Sequence, residues 1–326
     1  VRVHVVDKPL GLTSHDVVAR ARRALGTRRV GHAGTLDPLA TGVLVVLADE
    51  ATKLAPFLSG AEKHYLAWVA LGVDTATLDA EGPVVARRDA GHVDEAAVRA
   101  TFPAFLALRE QLPPAYSAVQ QGGERAYAAA RRGEALDLPP RPAAYHALEL
   151  LALSPPGAPR ARALLRAADG WRPADAGQGG ADGAVGLTLP DPLADAPVAV
   201  VRLRVAAGTY VRAFARDLGA ALGVGAHLAG LVRTAAGAAV LDQAVPLAAL
   251  AAAAPLDPLA LLPFPRVSLD EALARAVRDG KRPSASWSGR ATLIDPGGEL
   301  VAIADAVDGR IRTVRVWRPD ADAADG

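Results

Sequence analysis

The sequence predicts an α+β protein built from one large domain and a small, mostly β companion. Three observations carry this expectation. At 326 residues the chain exceeds the usual size of a single domain. Hydrophobic residues make up 51% of it, enough for a packed core. Short β-branched runs and helical periodicities share the first 250 residues, and beyond a stretch dense in Ala, Leu and Pro the pattern turns to hairpins.

Residues 3–6 are a β-branched strand segment that ends at Asp7-Lys8-Pro9-Leu10-Gly11, where proline and glycine force a turn. Thr13, three residues before Asp16, is placed to cap a helix whose apolar face is Val17, Val18, Ala21 and Leu25, with Gly26 as its stop. A glycine-rich loop follows, Gly31-His32-Ala33-Gly34-Thr35-Leu36-Asp37-Pro38-Leu39-Ala40-Thr41-Gly42, in which Pro38 keeps Asp37 out of the helical region. Strands are expected at 43–47, at 65–71 just after Lys63, and at 200–205. The last runs through Gly208-Thr209-Tyr210 into a helix with Val211, Phe214, Leu218 and Leu222 on one face and Arg212 near its start on a neighbouring face.

Two segments interrupt this large domain of residues 1–250. Residues 111–145 read as an exposed excursion with a helical patch at 127–132, and residues 155–198, rich in Pro, Gly, Ala and Asp, read as an inserted loop. Residues 251–264 are expected to link it to the small domain at 265–318. There Ser268 and Glu271 form a capping-box pair, Gly280 ends the helix, strands lie at 293–294 and 300–303 around Asp295-Pro296-Gly297-Gly298, and Asp308-Gly309 turns into a strand at 311–317. The tail, 319–326, is acidic and expected to be disordered.

Composition removes several chemistries. With no cysteine there are no disulfides and no thiolate zinc sites. No apolar run reaches the length of a bilayer span, and the first residues do not resemble a signal peptide, so a soluble, cytoplasmic protein is expected. The net charge is only +1, yet Arg20, Arg22, Arg23, Arg28 and Arg29 crowd one short stretch. Such a run is either a solvated helix face or a set of phosphate contacts.

The loop bearing His32 and Asp37 admits more than one chemistry. Two side chains are too few to hold a metal, and the phosphate-cradling pattern of a glycine, four residues, Gly-Lys and Ser/Thr is absent. Taken alone, an Asp-Pro in a loop is best read as the staple of a turn.

Four segments in order change that reading. Asp7-Lys8-Pro9-Leu10-Gly11-Leu12-Thr13-Ser14, the loop from Gly31 to Gly42, Lys63-His64-Tyr65 and Gly208-Thr209-Tyr210-Val211-Arg212 together resemble the TruB-type tRNA pseudouridine synthases. The stretch Gln111-Leu112-Pro113-Pro114-Ala115-Tyr116-Ser117-Ala118 and the residues from Asp217 to His227 match as well. The likeness covers most of residues 3–240, and a weaker one, to PUA-type RNA-binding domains, covers 265–317.

This resemblance implies a mixed, largely antiparallel central sheet flanked by helices, with a PUA-like domain appended. It also implies isomerisation of the uridine at position 55 in the tRNA T loop, with no cofactor, no metal and no obligate protein partner. Asp37 would be the catalytic carboxylate, attacking C1′ or taking the 2′ proton. Arg212 would be its counter-charge, and Tyr65 would stack on uracil and assist proton removal from C5. His32 would help to extrude and replace the uridine, and Tyr210 and Leu231 would line its pocket. The five arginines become candidates for contacts with the RNA backbone. One departure falls in the excursion: the family's Ser-Ala-Val-Lys is Ser117-Ala118-Val119-Gln120 here, with one positive charge fewer for gripping the T arm. Two other activities stay open on the same residues, a tRNA-folding chaperone in which isomerisation is incidental, and a guide-RNA-dependent synthase.

Overall fold

A computed structural model describes residues 1–116, 138–157 and 196–318, with the short strand pieces 120–121, 124–125, 163–167, 170–173 and 185–186 between them. The helical patch at 127–132, Ser117 to Val119 and the acidic tail lie outside the described residues.

Seven strands give the large domain its frame: β1 (Arg2–Lys8), β2 (Ala40–Ala48), β3 (Lys63–Leu71), β4 (Tyr145–Ser154), β5 (Val198–Val205), β6 (Ala226–Ala236) and β7 (Val245–Pro246). They lie in the order β4-β5-β3-β6-β2-β1-β7, with the short strands Val30–His32 on β2 and Ala239–Val240 on β6. All neighbours on this path are antiparallel except β6 with β2 and β1 with β7, so the sheet is mixed and largely antiparallel, as expected.

Period-two alternation assigns the two faces. On β3, Tyr65, Ala67, Val69 and Leu71 point into a cluster with Phe102 and Phe105 of α2 (Glu95–Ala107) and with Phe214 and Leu218 of α3 (Val211–Ala221). Leu66, Trp68 and Ala70 point the other way, into a second cluster. Both faces are covered, which is why β2 is apolar from Val43 to Ala48 and buried along its whole length. Each such Val or Leu contributes roughly 1.5–3 kcal/mol of burial.

Helix α1 (Ser14–Ala24) starts as its sequence requires. The Thr13 hydroxyl accepts the Asp16 N–H at 3.1 Å, and the Asp16 carboxylate accepts the Thr13 N–H at 2.9 Å. Val17, Val18 and Ala21 are buried, and the polar face carries its arginines outward.

The insertion corrects one expectation. Where residues 155–198 read as a loop, the strands Ala163–Ala167, Gly170–Pro173 and Val185–Gly186 pair in a three-stranded sheet beyond the β4-β5 hairpin. Leu164 is fully buried in the cluster of Trp68, and the Trp171 carbonyl accepts a bond from Arg202 at 3.3 Å. Burial of Leu164 and packing of the partly buried Trp171 against the core override a composition that favours loops.

Residues 251–264 lie against the large domain. The Leu256 N–H donates to the Val3 carbonyl at 2.7 Å, and Leu261 and Leu262 are buried.

The small domain is a four-stranded sheet, β8 (Arg266–Ser268), β9 (Gly289–Ile294), β10 (Leu300–Val307) and β11 (Arg310–Val316), packed by α4 (Glu271–Arg278). Its helix is capped by Asp270, whose carboxylate accepts the Leu273 N–H at 2.8 Å; the expected cap, Ser268, is instead the last residue of β8, paired with Ile294. Both residue types can cap, and strand pairing decides between them. Asp308 and Gly309, with φ of 51° and 69°, make the tight turn from β10 to β11. Trp317, 2% exposed, ties the small domain down through its indole N–H to the Glu50 carbonyl at 3.0 Å, beside a 3.1 Å bond from Lys53 Nζ to the Val316 carbonyl. Among the described residues no helix is long and apolar enough to cross a membrane.

Candidate active site

The loop before β2 is held from several sides. Arg233 on β6, 1% exposed, donates Nε to the Val43 carbonyl at 2.7 Å, Nη1 to Thr35 at 3.2 Å and Nη2 to Gly34 at 3.0 Å. Lys8, fully buried, donates to the carbonyls of Leu12 at 2.6 Å, Pro9 at 2.9 Å and Pro38 at 3.4 Å. Ser14 Oγ accepts the Leu36 N–H at 2.8 Å. The Asp7 carboxylate accepts from the Gly42 N–H at 3.0 Å and from the Thr41 hydroxyl at 3.1 Å.

Gly42 is demanded twice over. Its φ is +95°, and a Cβ there would stand 2.3 Å from the Arg233 carbonyl oxygen, where β2 and β6 run side by side.

This scaffold presents Asp37 to a single cavity of about 300 Å³, whose walls include Lys63, Tyr65, Tyr210, Arg212 and Leu231. Arg212, the second residue of α3, reaches across 175 positions of sequence to Asp37. Its Nε lies 2.9 Å from Oδ2 and its Nη2 3.2 Å from Oδ1, a two-pronged pair made by a residue that is 7% exposed. The remaining nitrogen donates to the Thr77 carbonyl at 3.3 Å and stands 3.5 Å from Asp79 Oδ2. Asp79 is buried, and burial pushes its carboxyl above the usual range against the opposing pull of the Thr77 hydroxyl and Arg212.

Two lysines flank the loop under similar constraint. Burial, reinforced by Arg233, pushes Lys63 down to about 8. Burial does the same to Lys8, also to about 8, although Asp37, Glu81 and Asp7 pull it back up. A carboxylate fixed by a guanidinium beside an aromatic wall suits nucleophilic attack on, or proton removal from, a group attached to a flat ring stacked on that wall.

Five sequence-predicted residues thus meet around one cavity: Asp37, Tyr65, Tyr210, Arg212 and Leu231. His32 does not line it. It sits on the short strand paired with β2, its ring edge-on to His15 with centroids 5.8 Å apart, and burial followed by the charges of His15 and Arg233 pushes its imidazole below the usual range. Arg20, Arg22, Arg23, Arg28 and Arg29 are all exposed on α1 or just after it, and Arg29 pairs with Glu50 at 2.8 Å.

Sequence reasoning missed Arg233 and Asp79 and left Lys8 and Lys63 as mere parts of motifs. Arg233 did carry a signal, since a lone arginine inside the apolar run from Leu228 is a charge that must find buried partners. The lysines carried another, being two of only four in the chain. Asp79 carried none, because it looks like any acidic turn residue.

Comparison with known proteins adds an independent line. Residues 22–168 match the TruB family pseudouridylate synthase (N terminal domain). The chain is 51% identical over 317 residues to tRNA pseudouridine synthase B of Deinococcus radiodurans, covering 97% of this chain and 99% of that one. It is 49% identical over 319 residues to tRNA pseudouridine synthase B of Thermus thermophilus, covering 98% and 99%. Among solved structures it matches a chain of a Cbf5-Nop10-Gar1 complex with a TM-score of 0.66 at 23% identity, over 98% of this chain and 85% of that one, a likeness of fold.

Proposed function

Because the chain belongs to the TruB family of pseudouridylate synthases, we propose that it isomerises uridine to pseudouridine in the T loop of tRNA, with Asp37 as the reacting carboxylate. The bond from C1′ to N1 of uracil breaks, the base turns within the cavity, and C1′ joins C5. The hydrogen lost from C5 is balanced by one gained at N1, so the change is an isomerisation.

The observation that carries the assignment is the paired Asp37 and Arg212 beside Tyr65 in one cavity. An anion in such a cleft is costly unless paired, and the guanidinium favours its charged form. Tyr65 supplies the stacking face, an interaction worth roughly 1–3 kcal/mol per base. Tyr210 and Leu231 close the pocket around the base. His32, outside that pocket, would act on the RNA as the uridine leaves its stack, and the exposed arginines from Arg20 to Arg29 would meet phosphates. The PUA-like small domain would extend the RNA contact, and the protein would work in the cytoplasm, alone, without guide RNA.

Asp37→Asn tests the assignment in a single-turnover assay with purified protein and bare tRNA. It is expected to bind tRNA as wild type does and to form no pseudouridine; normal turnover by this variant would remove Asp37 from the reaction.

A further inference from the structure

The excursion leaves and rejoins the large domain at a narrow neck. Glu110–Gln111 pairs antiparallel with Arg141–Pro142, so the outgoing and returning legs are zipped together. Both legs are then bonded to the segment that carries Tyr210 and Arg212.

Gln111, 4% exposed, makes the tightest of these ties. Its Oε1 accepts the Tyr210 N–H at 2.9 Å, and its Nε2 donates to the Tyr210 carbonyl at 3.1 Å and to the Tyr145 hydroxyl at 2.7 Å. The amide thus grips both backbone groups of one residue, as a neighbouring strand would. Next to it, the Leu112 carbonyl accepts a bond from Arg216 Nη2 at 3.1 Å. On the returning leg, the Ala144 N–H donates to Thr209 Oγ1 at 3.3 Å, and the Ala206 N–H donates to the Ala144 carbonyl at 2.9 Å.

Tyr210 is the N-cap residue of α3, and its own side chain makes no capping bond there. The entry to the first turn of α3, which has Arg212 at its second position, is fixed instead through the backbone of Tyr210. Gln111 holds both polar groups of that backbone. Its side-chain length matters, because the amide must span to two backbone atoms and a hydroxyl at once.

We propose that Gln111 is a positioning residue of the reaction, which through Tyr210 and the first turn of α3 holds Arg212 against Asp37 and couples the neck of the excursion to the cavity. This rests on the assignment of Asp37 and Arg212 to the reaction. A guanidinium displaced by even an ångström would no longer make both of its bonds to Asp37, and misplacement on that scale costs on the order of a hundredfold in rate.

The test is single-turnover pseudouridine formation at saturating tRNA, with tRNA affinity measured separately, for wild type, Asp37→Asn, Gln111→Leu and Tyr145→Phe. Gln111→Leu fills nearly the same space without the amide. It is expected to slow the step about ten- to a hundredfold, while tRNA affinity changes by no more than about twofold. Tyr145→Phe removes one of the three bonds and leaves both to Tyr210, so it should keep a near-wild-type rate. A wild-type rate in Gln111→Leu would overturn the proposal whatever its effect on melting temperature. An equal loss in Tyr145→Phe would also overturn it, since the effect would then belong to the aromatic core. Should Gln111→Leu fail to fold, Gln111→Glu, which keeps the acceptor for the Tyr210 N–H and can accept from the Tyr145 hydroxyl but loses the bond to the Tyr210 carbonyl, replaces it with the same expected slowing and the same overturning result. Turnover by Asp37→Asn would remove the underlying assignment; an inactive Asp37→Asn beside a fast Gln111→Leu would remove the positioning role alone.

Discussion

The charges under the Asp37 loop and the charges of the small domain are arranged on opposite plans. Beneath the loop, Lys8 and Arg233 are 0% and 1% exposed, and each spends its hydrogens on three backbone carbonyls. In the small domain, Arg290 meets Asp305 through two bonds of 2.8 and 2.9 Å, with the arginine exposed and the aspartate partly open to water. A buried cation costs several kcal/mol unless its donors are satisfied, whereas an exposed pair gains little. The difference teaches that Lys8 and Arg233 near the cavity set the shape of a loop, whereas Arg290 on the small domain decorates a surface. Arg212 stands between the two plans, since it is buried like the first group yet pairs with a carboxylate like the second.

Removing Arg212 should do the most damage. Arg212→Ala leaves Asp37 without its counter-charge and Asp79 without its nearest cation, and a loss of about a hundredfold or more in single-turnover rate is expected, comparable to removing a preorganised electrostatic partner. A loss of less than about tenfold would break the comparison at its centre.

Arg233→Leu should act on stability as well as rate. Three backbone carbonyls, those of Gly34 and Thr35 in the loop and Val43 in β2, lose their donor at about 1–3 kcal/mol each, so urea unfolding should show a loss of about 3 kcal/mol or more. A variant as stable as wild type would mean that the loop holds its shape unaided.

Lys63 sharpens the comparison through pH. Its folded value of about 8 lies below the ordinary 10.5, so between these two the unfolded chain holds a proton that the folded chain does not, and stability gained from this group rises with pH. The melting temperature of wild type relative to Lys63→Met should therefore increase from about pH 7 to about pH 9.5; a constant or falling difference would contradict the burial assigned to it. Smallest of all, Arg290→Ala should change the unfolding free energy by no more than about 1 kcal/mol.

What could be seen in the sequence was local or motif-borne. The turn after β1, the Thr13 and Asp16 capping box and the constrained Asp37-Pro38 step each follow from chemistry within a few residues. The Asp37 to Arg212 pair, distant in sequence, was legible only through its two motifs. Periodicity could not show that Arg233 staples the loop from β6, that Asp79 backs Arg212, or that Leu164 of the insertion reaches the core. Those contacts depend on strand order, which no short window records. The choice of Asp270 over Ser268 as a cap has the same cause, because pairing of β8 with β9 fixes where the strand stops.

The most direct measurement maps pseudouridine, nucleotide by nucleotide, in unmodified tRNA incubated with purified protein and no guide RNA, wild type and Asp37→Asn side by side. One new pseudouridine in the T loop with wild type, and none with the variant, is the predicted result. Equal modification by both proteins, or none in the T loop by wild type, would contradict the assignment of Asp37 to the reacting centre.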